Sequence, residues 1–243
     1  MSIADKLTTI AENEQRVFDA GKKSEYDAFW DTYQQNGNRT NYNVAFGCGY
    51  DGTAWATKCW NDNNFKPKYD IRLSGNTFNR SAVTNLKQRL LDCGVKISNV
   101  TSLYFCFYQS AITHIPDISI TAVTNMQNGF NSCTNLISID GIKVAESCVF
   151  NSAFNNCTKL EHVIFYGTIG NNLSFQWSDK LDKESITSIV SILSTSLSGR
   201  TLTLSKDAVN NAFETAEGLA DGTTSTEWAA LIADKSNWTI SLV

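Results

Sequence analysis

The chain has 243 residues, 42% of them hydrophobic and 18% charged, with only two prolines and a formal net charge of -4. That is long enough to bury a core and too apolar for a disordered tail, and no charge block of either sign steers it toward nucleic acid. No stretch approaches the roughly 20 apolar residues of a membrane span, and the start lacks the charged head and apolar run of a secretion signal.

Residues from Ser2 to about Tyr33 read as a helix. Ile3, Leu7, Ile10, Glu14 and Val17 step by four, three, four and three, a heptad seam with one polar interruption. Phe29, Trp30 and Tyr33 restore a bulky face after Ala20, Gly21 and Ser24 thin the seam. So narrow an apolar stripe is marginal alone. It must dock on the body of the chain or on copies of itself, and the seam Ile3, Leu7, Ile10 and Val17 suits a homo-oligomer.

Gln34 to Asn43 is polar with Asn-Gly at 36–37 and reads as a turn. Tyr42 to Ile71 is rich in aromatics and glycine without a clean period, and residues 63–68 look like loop. Ala82 to Cys93 reads as a helix with Val83, Leu86, Leu90 and Leu91 on one face and Gly94 as its C-cap.

The centre carries a repeat. Phe130-Asn131-Ser132-Cys133-Thr134-Asn135-Leu136 recurs 24 residues on as Phe154-Asn155-Asn156-Cys157-Thr158-Lys159-Leu160, each followed three residues later by Ile139 or Val163. A looser copy starts at Phe107, and Phe78 is a fainter echo. A period of 20–29 residues is a solenoid signature, because each unit is too small to bury its own apolar face and must stack on the next. The anchors Phe107, Phe130 and Phe154, Leu136 and Leu160, Ile139 and Val163, and Cys133 and Cys157 are expected to form internal columns.

Beyond the repeats, Phe165 to Trp177 suggests a strand and a glycine turn. A helix follows with Asp182 as N-cap, Ile186, Ile189, Val190 and Leu193 as its buried stripe, and Gly199 as its end. Thr201 to Leu204 alternates as a strand, Lys206 to Leu219 and Trp228 to Lys235 read as helices, and Trp238 to Leu242 as a closing strand. The organisation is therefore an N-terminal helix (1–35), an aromatic and glycine-rich region with a capping helix (36–99), the repeats (100–175) and a C-terminal α/β cap (176–243).

Little in this pattern points to catalysis. The two histidines, His114 and His162, take the same place in repeats two rungs apart with Ser138 between them, roughly 10 Å apart at ordinary strand spacing. One metal ion, with bonds of about 2 Å, does not bridge them without distortion. The 7 cysteines form no CxxC pair; they read as reduced, buried small side chains, with Cys133 and Cys157 stacked inward at a corner rather than joined. The carboxylates do not repeat in a column, and Gly47 to Gly52 lacks the lysine and the strand–turn–helix setting of a phosphate loop. No cofactor or metal is expected, and the chain reads as non-enzymatic. Asn131 and Asn155 read as turn-bonding residues or as a polar ladder for a ligand. Trp55, Trp60, Tyr69, Tyr104, Tyr108 and Tyr166 are candidates for an aromatic contact surface, with His114 and His162 beside it.

The Phe-x-x-Cys-Thr-x-Leu-x-x-Ile pattern at Phe130–Ile139 and Phe154–Val163 resembles the leucine-rich repeats of the BspA-like class, found in bacterial surface proteins and in phages of gut bacteria. Met1 to Leu7, Phe29-Trp30-Asp31 and Asn237 to Ile240 are similar to segments of small proteins encoded in Firmicutes prophages and phage structural-gene regions. The resemblance implies an α+β fold: a short leucine-rich-repeat-like solenoid with an N-terminal helix and a C-terminal α/β cap. It also implies a tail-associated or structural phage protein that binds protein or a host surface, located in the virion or in the host cytoplasm before lysis. A bacterial adhesion or protein-binding module without a virion role is the alternative, and a glycan-acting hydrolase a weaker third. The repeats are too few for a long concave receptor surface, and no catalytic residues carry over.

Overall fold

The computed structural model of the protein describes residues 3–36, 71–72, 78, 80, 84, 86–94, 97–98, 100–213 and 225–243. The Gly47–Gly52 run, the loop at 63–68 and residues 214–219 of the expected helix lie outside these. The described helices are α1 (Ile3–Asn36), α2 (Leu86–Cys93), α3 (Lys183–Ser191), α4 (Lys206–Phe213) and α5 (Thr226–Ile232). The strands are β1 (Ile71–Arg72), β2 (Ile97–Ser98), β3 (His114–Ile115), β4 (Val123–Asn125), β5 (Ser138–Val149), β6 (His162–Gly167), β7 (Leu173–Phe175), β8 (Arg200–Leu204) and β9 (Trp238–Leu242). All pairings are parallel: β1 with β2; β3, β4 and β6 with β5; and β7, β8 and β9 in that order.

The core is organised by phenylalanine. The rings of Phe78, Phe107, Phe130, Phe154 and Phe175 stack face to face in one file, with centroids 5.2, 5.1, 5.3 and 4.5 Å apart, and all five are fully buried. Each of the first four rings sits in a tight turn with a left-handed residue two positions before or after it, or both: Arg80 follows Phe78, Phe105 and Gln109 flank Phe107, Asn128 and Ser132 flank Phe130, and Ser152 and Asn156 flank Phe154, whereas Phe175 ends β7. Asparagine and serine suit that conformation because their short polar side chains find local hydrogen bonds. Neighbouring turns are bonded through the backbone, Phe107 N to Gly129 O at 2.7 Å and Phe130 N to Ala153 O at 2.9 Å.

The residue three places after each anchor explains the sulfur or hydroxyl there. Cys133 Sγ donates to Phe107 O at 2.8 Å and Cys157 Sγ to Phe130 O at 3.1 Å. The same two carbonyls accept the backbone amides of Ser110 and Cys133. Both lone pairs of a buried carbonyl are thus used, which removes the penalty of an unsatisfied group. Ser178, three places after Phe175, donates its hydroxyl to Cys157 O at 3.2 Å.

This arrangement corrects the expected leucine-rich-repeat-like solenoid. The chain has an α+β fold with small parallel sheets, and among the described residues no curved or closed sheet runs through the repeats. The reason is local. So much of each repeat is spent on a left-handed turn that β3 and β4 are left with 2 and 3 residues. Only β5 is long, at 12 residues, and its register shifts against both β4 and β6. The ordering column is aromatic, where a leucine-rich repeat relies on leucine beside a continuous sheet.

The C-terminal elements largely follow their sequence signals. Asp182 caps α3, its Oδ1 accepting Ser185 N at 2.8 Å, but the helix stops at Ser191, and Gly199 (φ +70) instead leads the chain into β8. Trp238 is buried and its indole donates to Ser194 O at 2.7 Å, which ties β9 to the body. In α2 Leu86 and Leu90 are buried while Leu91 is exposed, so its apolar face is narrower than the spacing suggested. Gly94 (φ +66) closes that helix, its amide donating to Leu91 O. In α1 Tyr26 is buried, whereas Leu7, Ile10, Val17 and Phe18 are exposed.

Phe130 has a ring on both faces, so truncating it leaves a void in the middle of the file. Phe130→Ala is expected to lower unfolding free energy by about 3–5 kcal/mol in urea titration, the usual cost of emptying a buried aromatic site. Phe130→Leu should lose less.

Candidate functional site

The repeat anchors are structural. Phe107, Phe130, Phe154, Leu136, Leu160, Ile139, Val163, Cys133 and Cys157 are all fully buried. The thiols are unsuited to chemistry: burial pushes Cys157 and Cys148 up to about 12, and burial and then neighbouring Cys157 push Cys133 well up. Cys133 and Cys157 are free cysteines, each donating to a different carbonyl.

The histidines sit where their column predicts, His114 opposite Ser138 and Ser138 opposite His162 across β3, β5 and β6. Both are half-buried rather than fully exposed, and each has its Nδ1 engaged. Thr113 spends its hydroxyl proton on Thr84 O at 2.7 Å, so at 3.0 Å the His114 Nδ1–H is the donor to Thr113 Oγ1. His162 Nδ1 lies 2.7 Å from Asp182 Oδ2.

Asp182 joins α3 to β6. Its Oδ1 accepts both the backbone amide and the hydroxyl of Ser185, the latter at 2.6 Å, and Ser185 Oγ in turn accepts Val163 N at 2.8 Å. Serine, aspartate and histidine are therefore together, but in the wrong order for nucleophilic catalysis. A relay needs the histidine to hold the serine proton. Here the buried serine gives its proton to the aspartate and serves as a clamp between α3 and β6. Burial alone pushes the Asp182 carboxyl up, but the hydrogen bonds from Ser185 and His162, with the histidine's charge, outweigh it and hold the carboxyl below its ordinary value.

The tyrosines divide. Tyr166 is exposed on β6 beside Gly141, where an added Cβ would press on the Tyr166 ring and on Asp117. Tyr104 and Tyr108 lie at the first aromatic turn with Phe105 between them, at 4.7 and 5.2 Å between centroids. Arg80 lies over the Tyr108 ring at 5.8 Å, its Nε donates to Gln109 Oε1 at 2.9 Å, and Gln109 Nε2 donates to Tyr108 Oη at 3.2 Å. Trp55, Trp60 and Tyr69 lie outside the described residues.

Asn131 does not bond the turn backbone through its side chain: its Nδ2 donates to Asn128 Oδ1 at 2.8 Å, and Ser132 Oγ donates to Asn131 Oδ1 at 2.9 Å. Sequence reasoning missed Phe105, Trp177 and the Asp182–His162 pair. Reading the repeat as Phe-x-x-Cys/Ser-x-x-Leu would have brought in Phe175-Gln176-Trp177-Ser178 and Leu181 as a further unit.

In the seam of α1, Leu7, Ile10 and Val17 are 62, 53 and 70% exposed; the side chain of Ile3 lies outside the described residues. Among the described residues no group of three or more His, Cys, Asp or Glu could hold a metal ion, and no helix is long and apolar enough to cross a membrane.

No protein-family model, no curated protein and no solved structure matches the chain.

Asp182→Ala removes the α3 cap and the histidine's partner, and about 1 kcal/mol of stability should go with it near neutral pH. Because the folded carboxyl titrates below its unfolded value of about 3.9, this contribution is complete above that pH. It is lost as pH falls through the folded value. The gap in stability between wild type and Asp182→Asn, measured by urea titration at several pH values, should therefore narrow on the acid side.

Proposed function

We propose that this chain is a non-enzymatic, phage-type structural or tail-associated protein that binds a protein or a host surface and brings copies of itself together through α1. The observation that carries the reading is the exposed seam of α1: Leu7, Ile10 and Val17 follow heptad spacing on a 34-residue helix and have no cover among the described residues. Burying one such side chain contributes about 1.5–3 kcal/mol, and a heptad seam is the pattern that meets its own copy by knobs-into-holes packing. Glu14 interrupts the seam and sets a limit on its strength, as a polar residue at such a position does. The phage setting, with residence in the virion or in the host cytoplasm before lysis, rests on the resemblance of Met1–Leu7, Phe29-Trp30-Asp31 and Asn237–Ile240 to segments of small prophage-encoded proteins.

The serine–aspartate–histidine arrangement supports a non-enzymatic role, since the Ser185 hydroxyl, both Asp182 carboxylate oxygens and His162 Nδ1 are used to clamp α3 to β6. A bacterial protein-binding module without a virion role is the second reading. It is favoured by the exposed aromatics Tyr104 and Tyr166, which need no assembly to act.

Light scattering on the full chain tests assembly. The wild type should give one defined oligomeric mass, and Leu7→Glu/Ile10→Glu should give a monomer whose body still unfolds in one cooperative step in near-UV circular dichroism. Glu14→Leu should tighten the oligomer and lower the concentration at which it dissociates. A monomeric wild type at all working concentrations would remove the assembly reading and leave the stand-alone module.

A further inference from the structure

We infer that the outer ridge of the aromatic turns is a binding site for a neutral, extended oligosaccharide. The inference specifies the host-surface part of the proposed function and does not depend on assembly through α1. Three six-residue stretches, 104–109, 127–132 and 151–156, contain no charged residue. They are neighbours in space, because Phe105 N donates to Gln127 O at 3.0 Å and Asn128 N to Asn151 O at 2.9 Å, and further along Ser132 N donates to Asn155 O at 2.8 Å.

Phe105 shows that the ridge is more than a set of turns. It takes the left-handed corner (φ 50) that Asn128 and Ser152 take in the next two turns. A phenylalanine has no side-chain hydrogen bond to offset that conformation, which costs about 1–2 kcal/mol. Strain of this kind collects at functional surfaces. Here it holds a ring between Tyr104 and Tyr108, and Arg80 and Gln109 fix Tyr108 from behind.

A second aromatic lies at the other end. Trp177 follows Phe175 by two residues, as Asn156 follows Phe154, and it is 49% exposed. Ring steps of 5.1, 5.3 and 4.5 Å lead from Phe107 to Phe175, so successive turns advance by about the length of a pyranose in an extended chain. Between the aromatic ends the surface is amide and hydroxyl. Among the described residues the side-chain amides of Gln127, Asn151, Asn155 and Asn156 make no hydrogen bond to protein. Flat rings for the apolar faces of sugars, and amides that both donate and accept for their hydroxyls, form the chemistry of neutral glycan recognition. An anionic polymer would need a basic groove, and Arg80 is already engaged with Tyr108 and Gln109.

The test is titration of the full chain with chitohexaose, cellohexaose and mannohexaose, and with a hyaluronan hexasaccharide as the anionic control. It is read by Trp fluorescence and calorimetry after a screen on an array of neutral and anionic glycans. At least one neutral oligosaccharide should bind. Trp177→Ala and Tyr104→Ala should each weaken it about tenfold, the scale of losing one well-placed aromatic contact, with melting temperature unchanged. Tyr166→Ala, outside the ridge, should bind as wild type does. Silence across the neutral glycans, binding confined to anionic ones, or full affinity in Trp177→Ala/Tyr104→Ala overturns the inference and leaves a protein ligand for this face. Titrating Leu7→Glu/Ile10→Glu separates the two readings: sugar binding that survives there stands whatever becomes of assembly.

Discussion

The repeats of the described body are placed by the file of five phenylalanine rings. A ring in this file is covered on its faces by other rings, so moving one turn displaces its neighbours, and the turns hold their register without a continuous sheet. The backbone must then supply a tight corner at each of the first four rings. At Phe130 and Phe154 that requirement is met by asparagine and serine in the left-handed positions, and a thiol three residues later completes the bonding of a buried carbonyl. Cysteine is useful in that place because it satisfies a carbonyl at little cost in polarity, which accounts for thiols that burial keeps inert.

Much of this was legible in the chain. The near-identity of Phe130–Leu136 and Phe154–Leu160 marks two members of the file, Asp182 marks a helix start, and the alternation at Thr201–Leu204 and Trp238–Leu242 marks two strands. What stayed hidden has physical causes. Phe175 escaped notice because serine stands at Ser178 where the repeat has cysteine, and its hydroxyl bonds a different buried carbonyl, Cys157 O. The leucine-rich-repeat expectation failed because Leu136 and Leu160 are real columns that accompany a stack of rings rather than direct a sheet. The pairing of His162 with Asp182 spans 20 residues and follows from the meeting of β6 and α3, which no spacing rule predicts.

The surfaces proposed to be functional are the places where the chain departs from what its folding needs. Turn geometry alone would put asparagine or serine at Phe105 and does not ask for an exposed indole at Trp177. A self-contained body has no use for three heptad-spaced apolar residues facing solvent on α1. The Ser185–Asp182–His162 group, by contrast, spends the serine hydroxyl and both carboxylate oxygens on hydrogen bonds that join α3 to β6, and that is why it reads as a joint. A rigid ridge combined with a helix suited to assembly would present several copies of a weak binding face at once, and multivalent contact converts weak single-site affinity into firm attachment.

Native-state hydrogen exchange is the most direct test of the central claim that the ring file is one cooperative unit. The amides of Phe107, Phe130, Asn128 and Ser132, which bond one turn to the next, should exchange with a single free energy close to that of global unfolding. Exchange of these amides in separate steps, with the turn at Phe107 opening well before the turn at Phe130, would contradict the account.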